Sequence, residues 1–344
     1  MKCVFSAPQH KHYPESFLVN GLRQENPEMP GRIDKLLEGA TALELEMVTP
    51  PDYGLGPIAR VHTPEYLEFL QNAYKHWQRI PGAAAEITPN IHPTHRDGVY
   101  PASVVAQAGY HMADASAPIT GETWESALHS AWSAIHASEL VLVGEKSAYA
   151  LCRPPGHHAG ADLAGGFCYL NNTAIAAQNL RRKYGSVAIL DVDLHHGNGT
   201  QDIFYSRNDV LTVSLHADPI RFYPFFWGHA SERGEASGLG YNLNFPLPRG
   251  TADDGFLAAL DKAITRINAF SPEVLVIALG LDAFEGDPFA GLAVTTEGYG
   301  RIGKTIAERI PGPTVIIQEG GYLCDELGQN LANFLKGFEA GATK

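Results

Sequence analysis

Short apolar runs alternate with helix-like segments from about residue 147 onward. Five runs have the length and the Val, Ile and Leu content of buried strands, at 148–152, 187–190, 210–215, 274–279 and 314–318. Helical periodicity lies between them, at 172–183, 253–270 and 297–310. Strands that alternate with helices form parallel sheets with both faces covered. The pattern therefore predicts an α/β fold, a parallel β-sheet flanked by helices on both faces.

The N-terminal part is less regular. Thr63 and Pro64 have the residue types that begin a helix, within HTPEYLEFLQNAY at 62–74. Residues 79–122 hold five prolines and little periodicity, and loops this long are often lids or interface arms. The HPTH run at 92–95 has metal-like spacing, but its Pro-rich context favours a loop. A helix is predicted to follow at 123–143.

Composition narrows the class of protein. The 344 residues are 44% hydrophobic, which supports one large α/β domain or two smaller ones. A net charge of -13 makes nucleic-acid binding an unfavourable prediction and weakly favours a cationic substrate. No apolar stretch approaches the roughly 20 residues of a membrane helix. Four widely spaced cysteines and no export segment predict a reduced, cytoplasmic protein.

Polar or glycine-rich motifs follow each of the five predicted strands. They are RPPGHH at 153–158, DVDLHH at 191–196, SLHAD at 214–218, GLDAFEGDP at 280–288 and EGGY at 319–322. Ligands of parallel sheets bind beyond the carboxyl ends of the strands. Five such strand ends together predict the rim of an active site.

Asp191, Asp193 and His195 alternate at the end of a strand, so their side chains can project together. Two carboxylates and an imidazole suit a divalent metal such as zinc, although iron(II) accepts the same set. Buried Asp–His pairs also brace cores, which is the structural alternative. A catalytic zinc usually takes three protein ligands. Asp282, which also leaves an apolar run, is the third candidate.

His157 and His158 follow a Pro-Pro-Gly turn that would hold both rings rigidly. Paired imidazoles beside a metal can divide proton transfer and charge stabilisation between them. Tyr322, after two glycines, could donate its phenol proton to a substrate oxygen. Each feature alone also fits ordinary packing, but their combination favours catalysis.

Six motifs together resemble the zinc-dependent histone deacetylase superfamily, and most closely the bacterial acetylpolyamine amidohydrolases. They are CRPPGHHAG, GGFCYLNNTAIAA, AILDVDLHHGNGTQDIFY, SLHAD, GLDAFEGDP and EGGY, in family order over most of 150–325. The resemblance implies a single arginase–deacetylase domain over 1–344. It also implies a hydrolase of linear amide C–N bonds, in which zinc-activated water splits an acetamide into acetate and a free amine.

The resemblance also implies two metal sites. The zinc ligands would be Asp193, His195 and Asp282. Several family members bind a structural potassium ion, and the matching positions here are Asp191, Asp193 and the backbone oxygens of His195, Ser214 and Leu215. Two close carboxylates repel each other, so a nearby monovalent cation is physically sensible.

The family's catalytic roles also map onto this chain. His158 would act as general base and then general acid, with Asn198 as its partner where some members carry an aspartate. That difference predicts a lower pKa for His158. His157, hydrogen-bonded to Asp191, would stabilise the transition state. Tyr322 would polarise the acetyl carbonyl.

Substrate selection is implied by the tunnel and by the inserted loop. Gly166, Phe167, Tyr223 and Phe289 match residues that wall the family's narrow tunnel. In the acetylpolyamine branch an inserted loop forms a homodimer and narrows this tunnel, and 79–122 occupies the corresponding place. That branch holds the distant ammonium group with loop carboxylates. Asp114 and Glu122 are the nearest acids here, but neither aligns with them, so acetylputrescine or acetylcadaverine is predicted over longer polyamines.

Three other functions stay open at this stage. The first is deacetylation of acetyl-lysine in proteins. The second is an arginase-like ureohydrolase with two manganese ions, which needs a second ligand set that the motifs do not supply. The third is a non-enzymatic acetyl-group sensor, which would be expected to lack a ligand or Tyr322. The favoured prediction is a small-amine deacetylase of polyamine metabolism.

Overall fold

The computed structural model describes residues 1–343 of the chain. In that range ten strands occur: β1 (Lys2–Val4), β2 (Ser16–Val19), β3 (Leu22–Glu25), β4 (Glu46–Val48), β5 (Ser147–Ala150), β6 (Val187–Asp191), β7 (Val210–Ala217), β8 (Asn242–Leu247), β9 (Val274–Leu279) and β10 (Thr314–Gln318). The α-helices there are α1 (Gly31–Ala42), α2 (Pro64–Trp77), α3 (Val104–His111), α4 (Thr123–Leu142), α5 (Asn172–Leu180), α6 (Asn198–Phe204), α7 (Asp253–Phe270), α8 (Thr296–Arg309) and α9 (Leu327–Ala342).

Eight strands form one parallel sheet in the order β4-β1-β5-β10-β9-β6-β7-β8, which confirms the predicted fold class. The five strands predicted from the sequence are five consecutive neighbours in its middle, β5-β10-β9-β6-β7. Their carboxyl ends therefore lie side by side. The strands β2 and β3 form a separate antiparallel hairpin.

The two faces of the sheet are buried by different helices. Successive residues of β9 alternate between the faces, so Val276 packs with residues of α4 and α5 while Ile277 packs with residues of α7, α8 and α9. Every residue of β9 is buried. Burying side chains of this size is worth about 1.5–3 kcal/mol each, which explains the continuous apolar runs in the sequence.

The helix predicted at Thr63 is confirmed, because the Thr63 hydroxyl accepts a hydrogen bond from the backbone N–H of Tyr66. The interpretation of 79–122 as irregular is wrong at one place, where α3 forms. Its residues Val104 and Ala108 are buried, and Gly109 lets another part of the same segment cross closely. A Cβ atom at Gly109 would lie 1.7 Å from the carbonyl oxygen of Ile91.

Other element bounds differ from the predictions by a few residues, as helix and strand ends commonly do. The strand β5 ends at Ala150 instead of 152, and α5 ends at Leu180 instead of 183, whereas β7 runs on to Ala217. The bounds of α7 and β9 agree with the predictions. Across residues 1–343, none of the helices combines the length and the apolar character needed to cross a membrane.

Candidate active site

Two neighbouring strands bring together the three predicted metal ligands. Asp193 and His195 follow β6, and Asp282 follows the adjacent β9. Nδ1 of His195 lies 3.0 Å from Oδ2 of Asp282 and 3.3 Å from Oδ1 of Asp193. One potential ligand atom from each residue lies within 4.8 Å of the others, and all three residues are buried. The predicted convergence is therefore present.

Backbone groups hold the two carboxylates in place. The N–H of Gly320 donates to Oδ2 of Asp193 at 2.7 Å, and the N–H of Leu194 donates to Oδ1 of Asp282 at 2.9 Å. A Cβ atom at Gly320 would lie 2.4 Å from Oδ2 of Asp282, so only glycine permits this approach. The EGGY motif therefore shapes the group of carboxylates.

The three residues fit a divalent cation. Two buried carboxylates need a positive counter-charge, and in residues 1–343 the ion-pair partners of Asp193 and Asp282 are histidines. Two oxygens and one nitrogen are a common donor set for zinc. No other group of three potential ligands lies this close in the described part of the chain, so His92 and His95 form no such cluster and an arginase-like second set is missing there.

His157 and His158 lie side by side but have different partners. Their ring centroids are 4.1 Å apart. Nδ1 of His157 lies 2.9 Å from Oδ2 of Asp191, whereas Nδ1 of His158 lies 2.7 Å from the amide oxygen of Asn198. One ring thus has an anionic partner and the other a neutral one, as predicted.

These surroundings separate the pKa values of the two histidines. Burial disfavours the charged form of His157, but the carboxylates of Asp193 and Asp191 outweigh it and raise its pKa to about 10. Burial lowers the pKa of His158 well below its ordinary value, and the positive charge of His157 lowers it further. Separated pKa values of this kind divide charge stabilisation from proton acceptance.

The carboxylate of Glu319 supports the histidine turn, a contact that sequence reasoning missed. Its Oε2 accepts the backbone N–H groups of Gly156 at 2.6 Å and His157 at 3.0 Å, and its Oε1 accepts the hydroxyl of Thr173 at 2.6 Å. Burial raises the pKa of Glu319 to about 7. A charged residue directly after a buried strand was the available signal.

The ring of Tyr322 lies between two aromatic side chains, with centroids 4.7 Å from Phe289 and 5.7 Å from Phe167. The guanidinium carbon of Arg32 lies 4.8 Å from its ring centroid, and Asp287 accepts its backbone N–H at 2.9 Å. Burial raises the pKa of the Tyr322 phenol well above its ordinary value, so the hydroxyl keeps its proton. Neither Arg32 nor Asp287 was predicted as part of the site.

A cavity of about 240 Å³ leads to these residues. Its lining includes His158, His195 and Tyr322 together with the four predicted wall residues, Gly166, Phe167, Tyr223 and Phe289. The lining also includes residues 17–20 of the β2–β3 hairpin, which were not predicted. Asn-Gly between alternating side chains is a strong hairpin signal, and Asn20 and Gly21 both have positive φ, at 51° and 78°.

The residues matched to the potassium site lie on adjacent strands. Asp191 at the end of β6 is directly opposite Ser214 of β7 in the parallel register, and Leu215 follows Ser214. Asp193 and His195 continue the chain from β6. The positions are thus neighbours in the fold.

A model of the histone deacetylase domain matches residues 25–338. The chain belongs to the histone deacetylase family. An acetylpolyamine amidohydrolase from Burkholderia pseudomallei is 45% identical over 342 residues, covering 99% of each chain. Acetylpolyamine amidohydrolase 1 from Pseudomonas aeruginosa is 45% identical over 347 residues, covering 99% of this chain and 100% of that protein.

The fold of this family member also matches solved relatives. The crystal structure of acetylpolyamine aminohydrolase from Burkholderia pseudomallei gives a TM-score of 0.96 at 44% identity and covers 99% of both chains. The family and its full-length relatives confirm the predicted resemblance, the arginase–deacetylase fold and an enzyme that hydrolyses amides.

Proposed function

We propose that this chain is a zinc-dependent amidohydrolase that removes the acetyl group from small acetylated amines, releasing acetate and the free amine. Acetylputrescine and acetylcadaverine are the favoured substrates. The main support is that Asp193, His195 and Asp282 form one close group, and that His195 of this group lines the same cavity as His158 and Tyr322. The names of the full-length relatives, acetylpolyamine amidohydrolases, support the same substrate class.

Asp193, His195 and Asp282 would hold the zinc, which when bound acts as a Lewis acid toward the acetyl carbonyl and water. His158, kept neutral by burial, accepts the proton of the attacking water and later donates it to the departing amine as the C–N bond breaks. His157, held in its charged form beside Asp191, stabilises the negative charge that develops on the carbonyl oxygen. The Tyr322 hydroxyl donates a hydrogen bond to that oxygen.

The walls of the cavity favour a narrow, flexible substrate. The ring centroids of Phe167 and Phe289 are 6.4 Å apart, and the ring of Tyr223 contacts His158 edge to face. An unbranched methylene chain can lie along such apolar rings, and the net charge of -13 favours approach of a cationic amine.

A substrate panel tests this proposal. We expect kcat/KM for acetylputrescine or acetylcadaverine to exceed that for acetylspermidine and for an acetyl-lysine peptide. Faster cleavage of the peptide than of every small amine would instead identify a protein deacetylase. Cleavage of none of them would reject the enzyme activity proposed here.

We also propose a structural potassium ion held by Asp191, Asp193, His195, Ser214 and Leu215. The support is that Asp191 is directly opposite Ser214 in the sheet and that Asp193 follows two residues later in the chain. Replacing potassium by choline in the buffer should lower the melting temperature of the wild type. The Asp191→Asn variant, which removes a negative charge from the proposed site, should show a smaller difference between the two buffers.

Finally, we propose that the inserted segment 79–122 of this single domain forms a homodimer that helps to narrow the tunnel. Val99 is 98% exposed and Ile91 is 61% exposed, and both line one surface cavity of this segment, where a second copy of the chain could cover them. Val99→Asp should shift the molar mass in light scattering from dimer to monomer. Val143→Asp, at another exposed valine (80%) after α4, should leave it unchanged.

A further inference from the structure

The carboxylate of Asp114 joins three separate parts of the cavity wall. Its Oδ2 accepts the hydroxyl of Tyr223 at 2.6 Å and the backbone N–H of Gly166 at 3.3 Å. Its Oδ1 accepts the backbone N–H of Ser116 at 2.7 Å. Ser116, Gly166 and Tyr223 all line the cavity, so one carboxylate connects residues that are distant in the chain.

Backbone hydrogen bonds hold Asp114 rigidly. The N–H of Ala164 donates to the oxygen of His111 at 2.7 Å, and the N–H of Ala113 donates to the oxygen of Ala164 at 2.7 Å. The Asp114–Tyr223 pair then lies directly over Gly165, where an added Cβ would be 3.3 Å from Oδ2 of Asp114 and 3.4 Å from the hydroxyl of Tyr223. The position of Asp114 is therefore fixed by the backbone around it.

Tyr223, by contrast, belongs to an exposed loop. Its neighbours Ile220 and Phe226 are 69% and 79% exposed, yet the ring of Tyr223 points inward and meets His158 edge to face, with centroids 4.9 Å apart. Burial and the charge of Asp114 raise the pKa of the Tyr223 phenol well above its ordinary value, so the phenol remains the donor. The bond to Asp114 anchors the Tyr223 side chain on the cavity wall, next to Phe222, whose ring stacks on His195.

We propose that the hydrogen bond between Asp114 and Tyr223 determines substrate specificity, because it holds the Tyr223 ring against His158 and so keeps the cavity narrow enough for unbranched chains. Asp114 would act as a positioning residue and would not itself bind the substrate's ammonium group. Three of the roughly four acceptor positions of its carboxylate already receive protein donors. This inference rests on the proposed deacetylase function.

The test compares a thin and a bulky acetamide, N-acetylcadaverine and N-acetylbenzylamine, in Tyr223→Phe, Asp114→Ala and the double variant, because alanine cannot accept the Tyr223 hydroxyl. Tyr223→Phe keeps the ring and removes only the bond. Each single variant should raise KM for N-acetylcadaverine about tenfold while kcat changes less than about threefold, and the preference for N-acetylcadaverine over N-acetylbenzylamine should fall about tenfold. The double variant should lose no more of this preference than the more impaired of the two single variants, because both changes remove the same interaction.

Tyr53→Phe is the matched control. It removes a tyrosine hydroxyl that bonds Nδ1 of His136 at 2.7 Å, away from the cavity, and should leave the substrate preference unchanged. If the wild type is active and Tyr223→Phe shows an unchanged substrate preference, the inference is overturned, even if Asp114→Ala fails to fold. Additive losses in the double variant also overturn it. A wild type that cleaves neither acetamide rejects the proposed function, and this inference with it.

Discussion

The amide oxygen of Asn198 lies 2.7 Å from Nδ1 of His158, so this buried ring has a neutral partner. Its neighbour His157 has a carboxylate partner, Asp191, at nearly the same distance of 2.9 Å. A negative charge stabilises an imidazolium and a neutral amide does so much less. Burial keeps His158 neutral and ready to accept a proton, because its partner adds no negative charge to oppose that effect, while His157 stays charged.

Asn198→Asp should give His158 a carboxylate partner, as His157 already has in Asp191. The new carboxylate would raise the pKa of His158, and since the base must be neutral, the acidic limb of the kcat/KM profile should move up by about one pH unit or more. The measurement is kcat/KM for an acetylated diamine against pH. Asn72→Asp, on α2, should leave the profile in place, and an unmoved limb in Asn198→Asp would remove His158 from the role of base.

Tyr322→Phe should lower kcat about a hundredfold or more, because it removes a hydrogen-bond donor from the position where charge develops on the substrate oxygen. The phenyl ring keeps the contacts with Phe167 and Phe289, so the melting temperature and the zinc content should match the wild type. Steady-state kinetics and elemental analysis check both parts. Wild-type turnover in this variant would exclude the phenol from the mechanism.

Local signals explain where the sequence predicted the fold correctly. The helix α7 begins with the acidic pair Asp253 and Asp254 and ends before Pro272, and its bounds were predicted correctly. The α3 helix was missed because prolines surround it and only one short face is buried. The hairpin at Asn20 and Gly21 had a clear turn signal that was not used.

The candidate site likewise contains residues that the sequence predicted and residues that it did not. Asp193 and Asp282 could be predicted because each directly follows a recognisable strand. Glu319 also follows a strand directly, but the contacts of Glu319 and Asp114 could not be predicted, because their partners lie in other segments, such as Thr173 for Glu319 and Tyr223 for Asp114. The order of strands in the sheet decides which segments meet, and the sequence pattern does not contain that order.

Removal of the metal should abolish activity reversibly. Chelation followed by dialysis should stop acetamide cleavage, and one equivalent of zinc per chain should restore it, because Asp193, His195 and Asp282 form a single ligand group. Asp282→Asn should lower the zinc content severalfold, whereas the exposed Asp261→Asn should retain it. Full activity in the stripped protein, or two manganese ions per chain in the native one, would contradict the single zinc site.

Acid should destabilise the protein through His62. This histidine is buried, and it is distant in the chain from the metal ligands. Its Nε2 accepts the backbone N–H of Asn171 at 2.9 Å, and its Nδ1 lies 3.2 Å from the oxygen of Ala161, so the ring fits only in its neutral form. Burial lowers its pKa from 6.5 to about 4. Above pH 6.5 both the native and the unfolded chain hold the neutral ring and the pKa shift has no effect. Between pH 6.5 and about 4 the unfolded chain binds a proton that the native chain does not, and His62 alone should lower the free energy of unfolding by about 1.4 kcal/mol per pH unit.

His62→Gln isolates this contribution, because glutamine offers an acceptor and a donor but does not titrate. Denaturant unfolding at several pH values should show a slope between pH 4 and 6.5 that is smaller than in the wild type by about 1.4 kcal/mol per unit. Other buried histidines, His12 and His216, whose pKa values burial lowers to about 3 and about 4, keep the remaining slope in both proteins. His76→Gln, at an exposed position of α2, should behave as the wild type. Equal slopes for His62→Gln and the wild type would mean that the native protein tolerates the protonated ring, and the neutral bridge between Asn171 and Ala161 would then be the wrong account of this residue.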